Sequence, residues 1–299
     1  MASDFAHYKS GGEAHMPVTV ILGMQWGDEG KGKIADYLAQ EADIVVRFNG
    51  GNNAGHTIVN EYGTLALHLV PAGICNPQAM CVIGNGVVVD LASLAAELDT
   101  LNRLGITTEG RLKISAKAHL ILPWHILLDS AEEERLGEKK IGTTLRGIGP
   151  AFTDKVARRG IRVGDLTNWE SFREKFAAEY DAKTTVLERL YGHQALESKE
   201  RILEHLEAFR ERMNPYVAET EEYLWDAVAK GARVLLEGAQ GALLDIDFGT
   251  YPYVTSSPTG IAAASQGSGI AHSEERKHPN DILSHFNLLP CFSSNSATP

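Results

Sequence analysis

Residues 23–34 read Gly-Met-Gln-Trp-Gly-Asp-Glu-Gly-Lys-Gly-Lys-Ile, and this is the most informative stretch of the chain. From Gly27 to Lys33 its spacing is that of a phosphate-binding loop, G-x-x-x-x-G-K. Such a loop ordinarily continues with Ser or Thr, whose hydroxyl binds Mg²⁺, but this chain has Ile34 there. A nucleotide site of this kind still needs a metal ligand, and the nearest candidate is the carboxylate of Asp28, inside the loop.

The loop lies in the context that a phosphate site requires. The β-branched and apolar residues 18–24 predict a buried strand before it, and the apolar spacing of 33–40 predicts a helix after it. The backbone N–H groups of the loop and the N-terminus of the helix would together bind an anion. The alternative is an ordinary tight turn, and the concentration of glycines and lysines in one loop argues against it.

Strands alternate with helices over much of the chain. Further buried strands are predicted near 44–46, 65–70, 81–84, 112–115 and 233–237, and a helix with leucines at helical spacing is predicted over 91–104. Strands that alternate with helices usually pair in parallel. We therefore predict an α/β fold with a mainly parallel β-sheet flanked by helices.

Residues 167–230 predict a helical insertion into this domain. Thr167-x-x-Glu170 is a capping-box pattern at its start. Two apolar stripes at helical spacing follow, which we assign to core packing: Phe172, Phe176 and Tyr180, then Ile202, Leu203, Leu206, Phe209 and Met213. We expect one α/β domain over 17–270, with a polar extension at 1–16 and a divergent, poorly ordered tail at 271–299.

Composition narrows the functional classes. The chain has 299 residues and a formal net charge of −11, which argues against general nucleic-acid binding. Cys75, Cys81 and Cys291 show no metal-binding spacing, which suits a reduced compartment. This compartment would be the cytoplasm. No apolar run approaches the length of a membrane span, so we expect no membrane partner.

Three further clusters carry chemical groups. Residues 50–57 (Gly-Gly-Asn-Asn-Ala-Gly-His-Thr) follow the second strand, and parallel sheets commonly bring such loops to one edge. Alone, His56 would more often be structural, but beside a phosphate site it could donate to a leaving phosphate oxygen. The hydroxyls and cations of 141–150 and 155–160 suit phosphate recognition, although a solvated basic stretch explains them equally well. The cluster over 237–257 again combines a strand, a glycine turn and polar residues, and is a weak signal by itself.

Taken together, these clusters closely resemble the adenylosuccinate synthetase family. The matching segments are Gln25-Trp-Gly-Asp-Glu-Gly-Lys-Gly-Lys33, Gly51-Asn-Asn-Ala-Gly-His-Thr57, Ile141-Gly-Thr-Thr-Leu-Arg-Gly-Ile-Gly-Pro150, Val156-Ala-Arg-Arg-Gly160, and Glu237-Gly-Ala-Gln-Gly241 with Gly249-Thr-Tyr-Pro-Tyr-Val-Thr-Ser-Ser257. The resemblance implies a ligase that uses GTP and Mg²⁺ to join IMP to L-aspartate in AMP synthesis.

The resemblance also implies roles for single residues. Asp28 matches the catalytic base that removes the N1 proton of IMP, and it matches a Mg²⁺ ligand alongside the Gly55 carbonyl. His56 matches the residue that hydrogen-bonds or protonates the departing GDP oxygen. Lys31 would neutralise charge during the transfer, and Gln240 completes the predicted catalytic set.

The ligand contacts implied by the resemblance form two sets. The residues that would bind the GTP phosphates are Gly27, Asp28, Glu29, Gly30, Lys31, Gly32, Lys33, Gly55, His56 and Thr57. Those that would bind IMP are Asp28, Lys31, Asn53, Ala54, Gly55, His56, Thr144, Arg158, Gln240 and Thr255. Arg158 matches an arginine that reaches the IMP phosphate of the neighbouring subunit, so the resemblance implies a homodimer with shared sites.

The family pattern weakens after Ser257. Residues 258–269 keep only Gly267-Ser-Gly269, and we detect no resemblance over 271–299. The family's elements for recognising the guanine base and aspartate are not identifiable here. The alternative to a full ligase is therefore a truncated, non-catalytic or altered-specificity homologue that keeps only the phosphate-transfer half of the site.

Overall fold

The structure, a computed structural model, describes residues 18–60, 62–192, 196–270 and 286–291. The predicted extension at 1–16 lies outside the described residues, as does most of the predicted tail at 271–299. None of the described helices is both long and apolar enough to cross a membrane.

The predicted alternation of strands and helices is observed. The strands are β1 (Val18–Gly23), β2 (Ile44–Arg47), β3 (His56–Asn60), β4 (Gly63–Leu67), β5 (Met80–Ile83), β6 (Val88–Val89), β7 (Leu112–Ser115), β8 (His119–Leu120), β9 (Val217–Ala218), β10 (Val234–Glu237) and β11 (Phe286–Cys291). The α-helices are α1 (Lys31–Ala39), α2 (Leu91–Arg103), α3 (Pro123–Leu136), α4 (Ile148–Val156), α5 (Trp169–Tyr191), α6 (Lys199–Met213), α7 (Thr220–Ala229) and α8 (Ile261–Ser268).

A seven-stranded sheet with the order β11-β1-β10-β2-β5-β7-β9 forms the centre of the fold. Every neighbouring pair in it runs parallel, which confirms the predicted sheet. Two small ladders accompany it: β3 pairs antiparallel with β4, and β6 pairs parallel with β8.

Both faces of this sheet are buried. In β1, Ile21 packs into one hydrophobic cluster with Ala35 of α1, whereas Val20 and Leu22 pack into a second cluster with Ala264 of α8. Successive side chains of a strand point to opposite faces, and helices cover both. This explains why β1 reads as a continuous apolar run in the sequence.

The register of the central strands sets the position of the loops that follow them. Ile21 of β1 lies opposite Glu237 of β10, and Glu237 lies opposite Arg47 of β2. The carboxyl ends of β1, β10 and β2 therefore meet at one edge of the sheet. The glycine-rich loops after these three strands leave the sheet side by side, as parallel pairing predicts.

Helices α5, α6 and α7 occupy the predicted insertion. Phe172 and Phe176 are fully buried, and their rings stack at 6.0 Å between centroids. The structure corrects the predicted cap: Asn168, and not Thr167, caps α5, since its side-chain oxygen accepts from the backbone N–H of Ser171 at 3.2 Å.

The structure differs from the sequence predictions at two ends of the sheet. The short strand β9 lies within the insertion and pairs with β7, so the sheet does not simply resume at Val234. Residues 286–291 of the predicted poorly ordered tail form β11, which pairs with β1 along its whole length. Pro290 lacks a backbone N–H, which suits the position of β11 at the end of the sheet as the described residues form it.

Candidate active site

The phosphate loop joins β1 to α1 and passes directly over the backbone of Gln240. Gly27 has a φ of +98°, and a Cβ at this position would lie 2.9 Å from the Cα of Gln240. Any other residue would thus need a left-handed backbone and would collide with the neighbouring loop. The glycine in the motif is required by the close approach of the loops that follow β1 and β10.

A buried ion pair supports the phosphate loop on the side that faces the protein interior. Lys31 Nζ donates to the carbonyl oxygen of Gly27 at 2.8 Å and lies 3.3 Å from Glu29 Oε2, and both charged side chains are about 1% exposed. Glu29 Oε1 accepts from the backbone N–H groups of Gln25 and Gly27 at 2.9 and 3.0 Å. The N–H of Gly27, one of those that the sequence assigns to an anion, is therefore already bound by Glu29.

Hydrogen bonds tie the loop after β2 to the loop after β10. The side-chain oxygen of Asn49 accepts from Ala239 N at 2.7 Å, and its nitrogen donates to the Pro258 carbonyl at 2.9 Å. The backbone N–H of Gly50 donates to Ser257 Oγ at 2.8 Å. Because these contacts are largely buried, they fix the relative position of the two loops.

His56 lies at the start of β3 and is 5% exposed. Its Nδ1 contacts Glu237 Oε1 directly, and Arg47 Nη1 lies 3.3 Å from the same nitrogen. Burial lowers the pKa of His56, and the nearby charge of Arg47 lowers it further, against the opposing effect of Glu237. The sequence pointed to His56 but gave no role to Arg47 or Glu237, which reach it from the ends of β2 and β10.

A cavity of about 740 Å³ opens where these loops meet. The predicted site residues that line it are Gly27, Asp28, Asn53, Ala54, Gly55, His56, Thr144, Gln240 and Thr255. The predicted site residues that do not line it are Glu29, Gly30, Lys31, Gly32, Lys33, Thr57 and Arg158. The structure thus brings Asp28, His56 and Gln240 together around one space, whereas Lys31 lies beneath the loop.

Gln240 offers a free acceptor at this cavity. Its Nε2 donates to Asn53 Oδ1 at 3.4 Å, while Oε1 is buried without a hydrogen-bond partner among the described residues. A buried polar atom without a partner is unfavourable unless a ligand or water satisfies it. The Gln240 carbonyl is therefore positioned to accept a hydrogen bond from a bound molecule.

Two carboxylates of α3 hold the loop that carries Thr144. Glu133 accepts from the consecutive backbone N–H groups of residues 141–143, and Asp129 accepts from Gly147 N at 2.8 Å. Sequence reasoning missed both residues. The available signal was an acidic pair at i and i+4 on a helix that ends just before a glycine-rich loop.

Comparison with known proteins assigns the chain to a family. Residues 20–278 match the family model described as adenylosuccinate synthetase. The chain belongs to the adenylosuccinate synthetase family. It is 54% identical over 255 residues to the adenylosuccinate synthetase of Carboxydothermus hydrogenoformans and 49% identical over 255 residues to that of Desulforamulus reducens, in each case over 85% of this chain. It spans about 59% of the length of these relatives.

Solved structures agree with this assignment. The fully ligated adenylosuccinate synthetase from Plasmodium falciparum superposes with a TM-score of 0.82 at 39% identity, covering 92% of this chain and 61% of that one. The cyanophage S-2L succinoaminodeoxyadenylate synthetase, bound to dGMP and dATP, has a TM-score of 0.61 at 24% identity, covering 92% of this chain and 63% of that one. The second similarity shows a shared fold.

The lining of the cavity includes oxygen donors of the kind that a magnesium ion takes. Asp28 presents an exposed carboxylate at the cavity, and Gly55 also lines it. Within the described part of the chain, no group of three or more His, Cys, Asp or Glu side chains is placed to hold a metal. Mg²⁺ commonly binds through one or two carboxylates, with water and substrate phosphates completing its shell.

Leu145 is strained in the loop that precedes α4. Its φ is +55°, and its side chain is 46% exposed, so the left-handed backbone is not offset by deep burial. Leu145→Gly should raise the free energy of unfolding by about 1 kcal/mol, because glycine adopts this conformation without a Cβ clash. Urea denaturation measures the change. Leu145→Ala is the control: it keeps the Cβ and should give no gain, and an equal gain in both variants would contradict the strain.

Asp245 fixes the segment that carries Thr255 to the cavity wall. Asp245 Oδ2 accepts from Thr259 N at 2.7 Å, and Oδ1 accepts from Asp247 N at 3.0 Å. Burial alone would raise the pKa of Asp245, but the N–H groups of Thr259, Asp247 and Phe248 hold it below its usual value. The ionised carboxylate is therefore the form that the folded chain prefers.

A pH-dependent loss of stability follows for Asp245→Asn. The folded pKa is below the unfolded one, so the stabilisation is complete above about pH 4 and is lost as the pH falls through the folded pKa. At pH 7 the variant should lose about 1–3 kcal/mol, since a charged acceptor is replaced by a neutral one. Urea titrations of both proteins should converge below pH 4, whereas a constant difference would refute the assignment. Asp247→Asn, at an exposed side chain, is the control.

Proposed function

We propose that the chain carries out the GTP-dependent ligation of IMP and L-aspartate to adenylosuccinate through 6-phosphoryl-IMP, the first committed step of AMP synthesis. One observation carries the proposal: Asp28, His56, Gln240, Asn53 and Thr144 line a single cavity of about 740 Å³. Ligand sites typically enclose about 300–1,000 Å³, so this volume suits nucleotide substrates.

The residues at the cavity support the phosphoryl-transfer step of this reaction. Asp28 removes the N1 proton of IMP, and the 6-oxygen that gains electron density attacks the γ-phosphate of GTP. Gln240 presents its unpartnered oxygen to the purine. His56 hydrogen-bonds the departing GDP oxygen. The amino group of aspartate then displaces the new phosphate at C6, which is a far better leaving group than the original oxygen.

Cations assist the transfer by neutralising phosphate charge. Bound Mg²⁺ supplies electrostatic stabilisation to the phosphates, and Asp28 and the Gly55 carbonyl would hold it. Lys31 is paired with Glu29 beneath the loop, so its contribution requires that it exchange this carboxylate for a phosphate oxygen. We propose that the phosphoryl group comes from GTP bound as a co-substrate, and not from a nucleotide that stays bound to the protein.

We also propose that the protein acts in the cytoplasm as a homodimer with shared sites. Arg158 supports this arrangement because it is exposed, has a φ of +62° and does not line the cavity of its own chain. An arginine in this position would reach the IMP phosphate of a neighbouring subunit. Light scattering of the purified chain should give twice the monomer mass, and a strictly monomeric protein would contradict the shared site.

A coupled assay tests the activity itself. The chain is mixed with IMP, GTP, Mg²⁺ and L-aspartate, and the release of phosphate and formation of adenylosuccinate are followed together. Phosphate release that requires IMP supports the proposal, whereas release that is independent of IMP overturns it. The chain spans about 59% of its curated relatives, so calorimetry with IMP and GTP is run in parallel. Binding without any release would identify a non-catalytic homologue.

A further inference from the structure

The buried contacts of His56 carry an inference about which of its ring nitrogens meets the ligand. Glu237 and Arg47 are the last residues of neighbouring parallel strands and lie opposite each other in the register. Glu237 is wholly buried, and Arg47 is 1% exposed. The ends of these two strands therefore place one acidic and one basic side chain next to the ring of His56.

These two groups compete for Nδ1 of His56. Glu237 Oε1 contacts Nδ1 directly, and Arg47 Nη1 lies farther from it, at 3.3 Å. A carboxylate can only accept a hydrogen bond and a guanidinium can only donate one, so the two partners require opposite states of Nδ1. The closer contact belongs to the acceptor.

Other contacts keep Glu237 in its acceptor form. Its second oxygen accepts from the backbone N–H of Ala72 at 2.8 Å, and Arg47 Nη1 lies 3.5 Å from Oε1. Both partners can only donate, so they favour the ionised carboxylate independently of the state of His56. An ionised Glu237 leaves Nδ1 of His56 as the donor.

We propose that Glu237 is a positioning residue for His56: it accepts a hydrogen bond from Nδ1–H and so turns Nε2 toward the cavity. His56 lines the cavity while Nδ1 is engaged in the interior, so Nε2 is the ring nitrogen left to face a ligand. Whatever hydrogen bond His56 makes in phosphoryl transfer then passes through Nε2. This consequence rests on the proposed function, but the orientation of the ring can be measured without turnover.

Nitrogen NMR of the intact chain tests the proposal. The protein is prepared with ¹⁵N-labelled histidine rings, and the His56 signals are identified among those of the 11 histidines by their loss in His56→Gln. Nδ1 of His56 should carry a hydrogen. A bare Nδ1 with the hydrogen on Nε2 would overturn the proposal. The result does not depend on catalysis, so it is separate from the outcome of the coupled assay.

Glu237→Gln provides the second measurement. A glutamine amide can either accept from Nδ1–H or donate to an Nδ1 that carries no hydrogen. The His56 ring of this variant should therefore populate both tautomers, including the one in which Nδ1 carries no hydrogen. An unchanged spectrum would show that Glu237 does not determine the tautomer of the His56 ring. Glu221→Gln is the matched control, since Glu221 is also buried but contacts Ser115 and Lys117, away from the cavity. It should leave the His56 signals unchanged.

Discussion

Replacing Asp28 with alanine is expected to reduce IMP-dependent phosphate release by at least about 1,000-fold. General-base catalysis alone contributes about 10²–10⁴-fold, and the same carboxylate is the only acidic side chain of the phosphate loop that lines the cavity among the described residues. The loss combines an absent base with an absent metal ligand. Initial rates of phosphate release at saturating IMP, GTP and L-aspartate measure the effect.

Two comparisons separate chemistry from folding in this experiment. Asp28→Asn keeps the shape of the side chain and should lose activity as severely as alanine, because an amide neither takes a proton nor ligates Mg²⁺ well. Asp28 is exposed, so urea denaturation should show both variants to be as stable as the original chain. Turnover of either variant within threefold of the original would refute the mechanism.

Replacing Phe176 with alanine is expected to cost about 3–5 kcal/mol of unfolding free energy. Phe176 is fully buried, and its ring lies 5.2 Å from Trp124 of α3 and 6.0 Å from Phe172 of α5. Truncation would leave a cavity between α3 and α5 that rigid aromatic neighbours cannot fill. Urea denaturation monitored by tryptophan fluorescence and by circular dichroism measures the change.

Phe248→Ala serves as the matched control for this substitution. Phe248 is 89% exposed, so the same chemical deletion there should change stability by less than about 0.5 kcal/mol. A loss below about 1 kcal/mol for Phe176→Ala would show that α5 is not packed against α3 as described. The substitution also bears on the site, because α3 holds the loop of Thr144 through Asp129 and Glu133.

Much of the fold could be predicted from local sequence. The apolar runs located β1, β2, β5 and most of β10, because strands buried on both faces are largely apolar. β7 alternates apolar and polar residues and was located by that period. Two features escaped this reasoning. β9 has only two residues and therefore no period, and the pairing of β11 with β1 joins segments that are remote in sequence. The cap of α5 was missed by one residue because the hydroxyl of Thr167 donates to the Gly164 carbonyl, and Asn168 accepts from the helix instead.

The sequence predicted those parts of the candidate site in which the spacing of residues along the chain is enough to indicate their chemistry. The phosphate loop and the glycine-rich segment with His56 could be recognised because strand, loop and helix follow each other along the chain. The contacts behind them could not be predicted. Arg47 and Glu237 meet only because β10 lies between β1 and β2, and the inward turn of Lys31 depends on Glu29. These are properties of strand order and of side-chain packing.

The position of β1 in the sheet has a consequence for how the protein is made. Val18 pairs with Val234 on one side and with Phe286 on the other, so both neighbours of β1 are synthesised late. Protein synthesis adds about 5–20 residues per second, so tens of seconds pass between the synthesis of β1 and that of either partner strand. Pairing between such remote segments is also slow to form. The apolar side chains of β1 therefore remain without their strand partners until late in synthesis, and exposed apolar surface of this kind favours aggregation of the nascent chain.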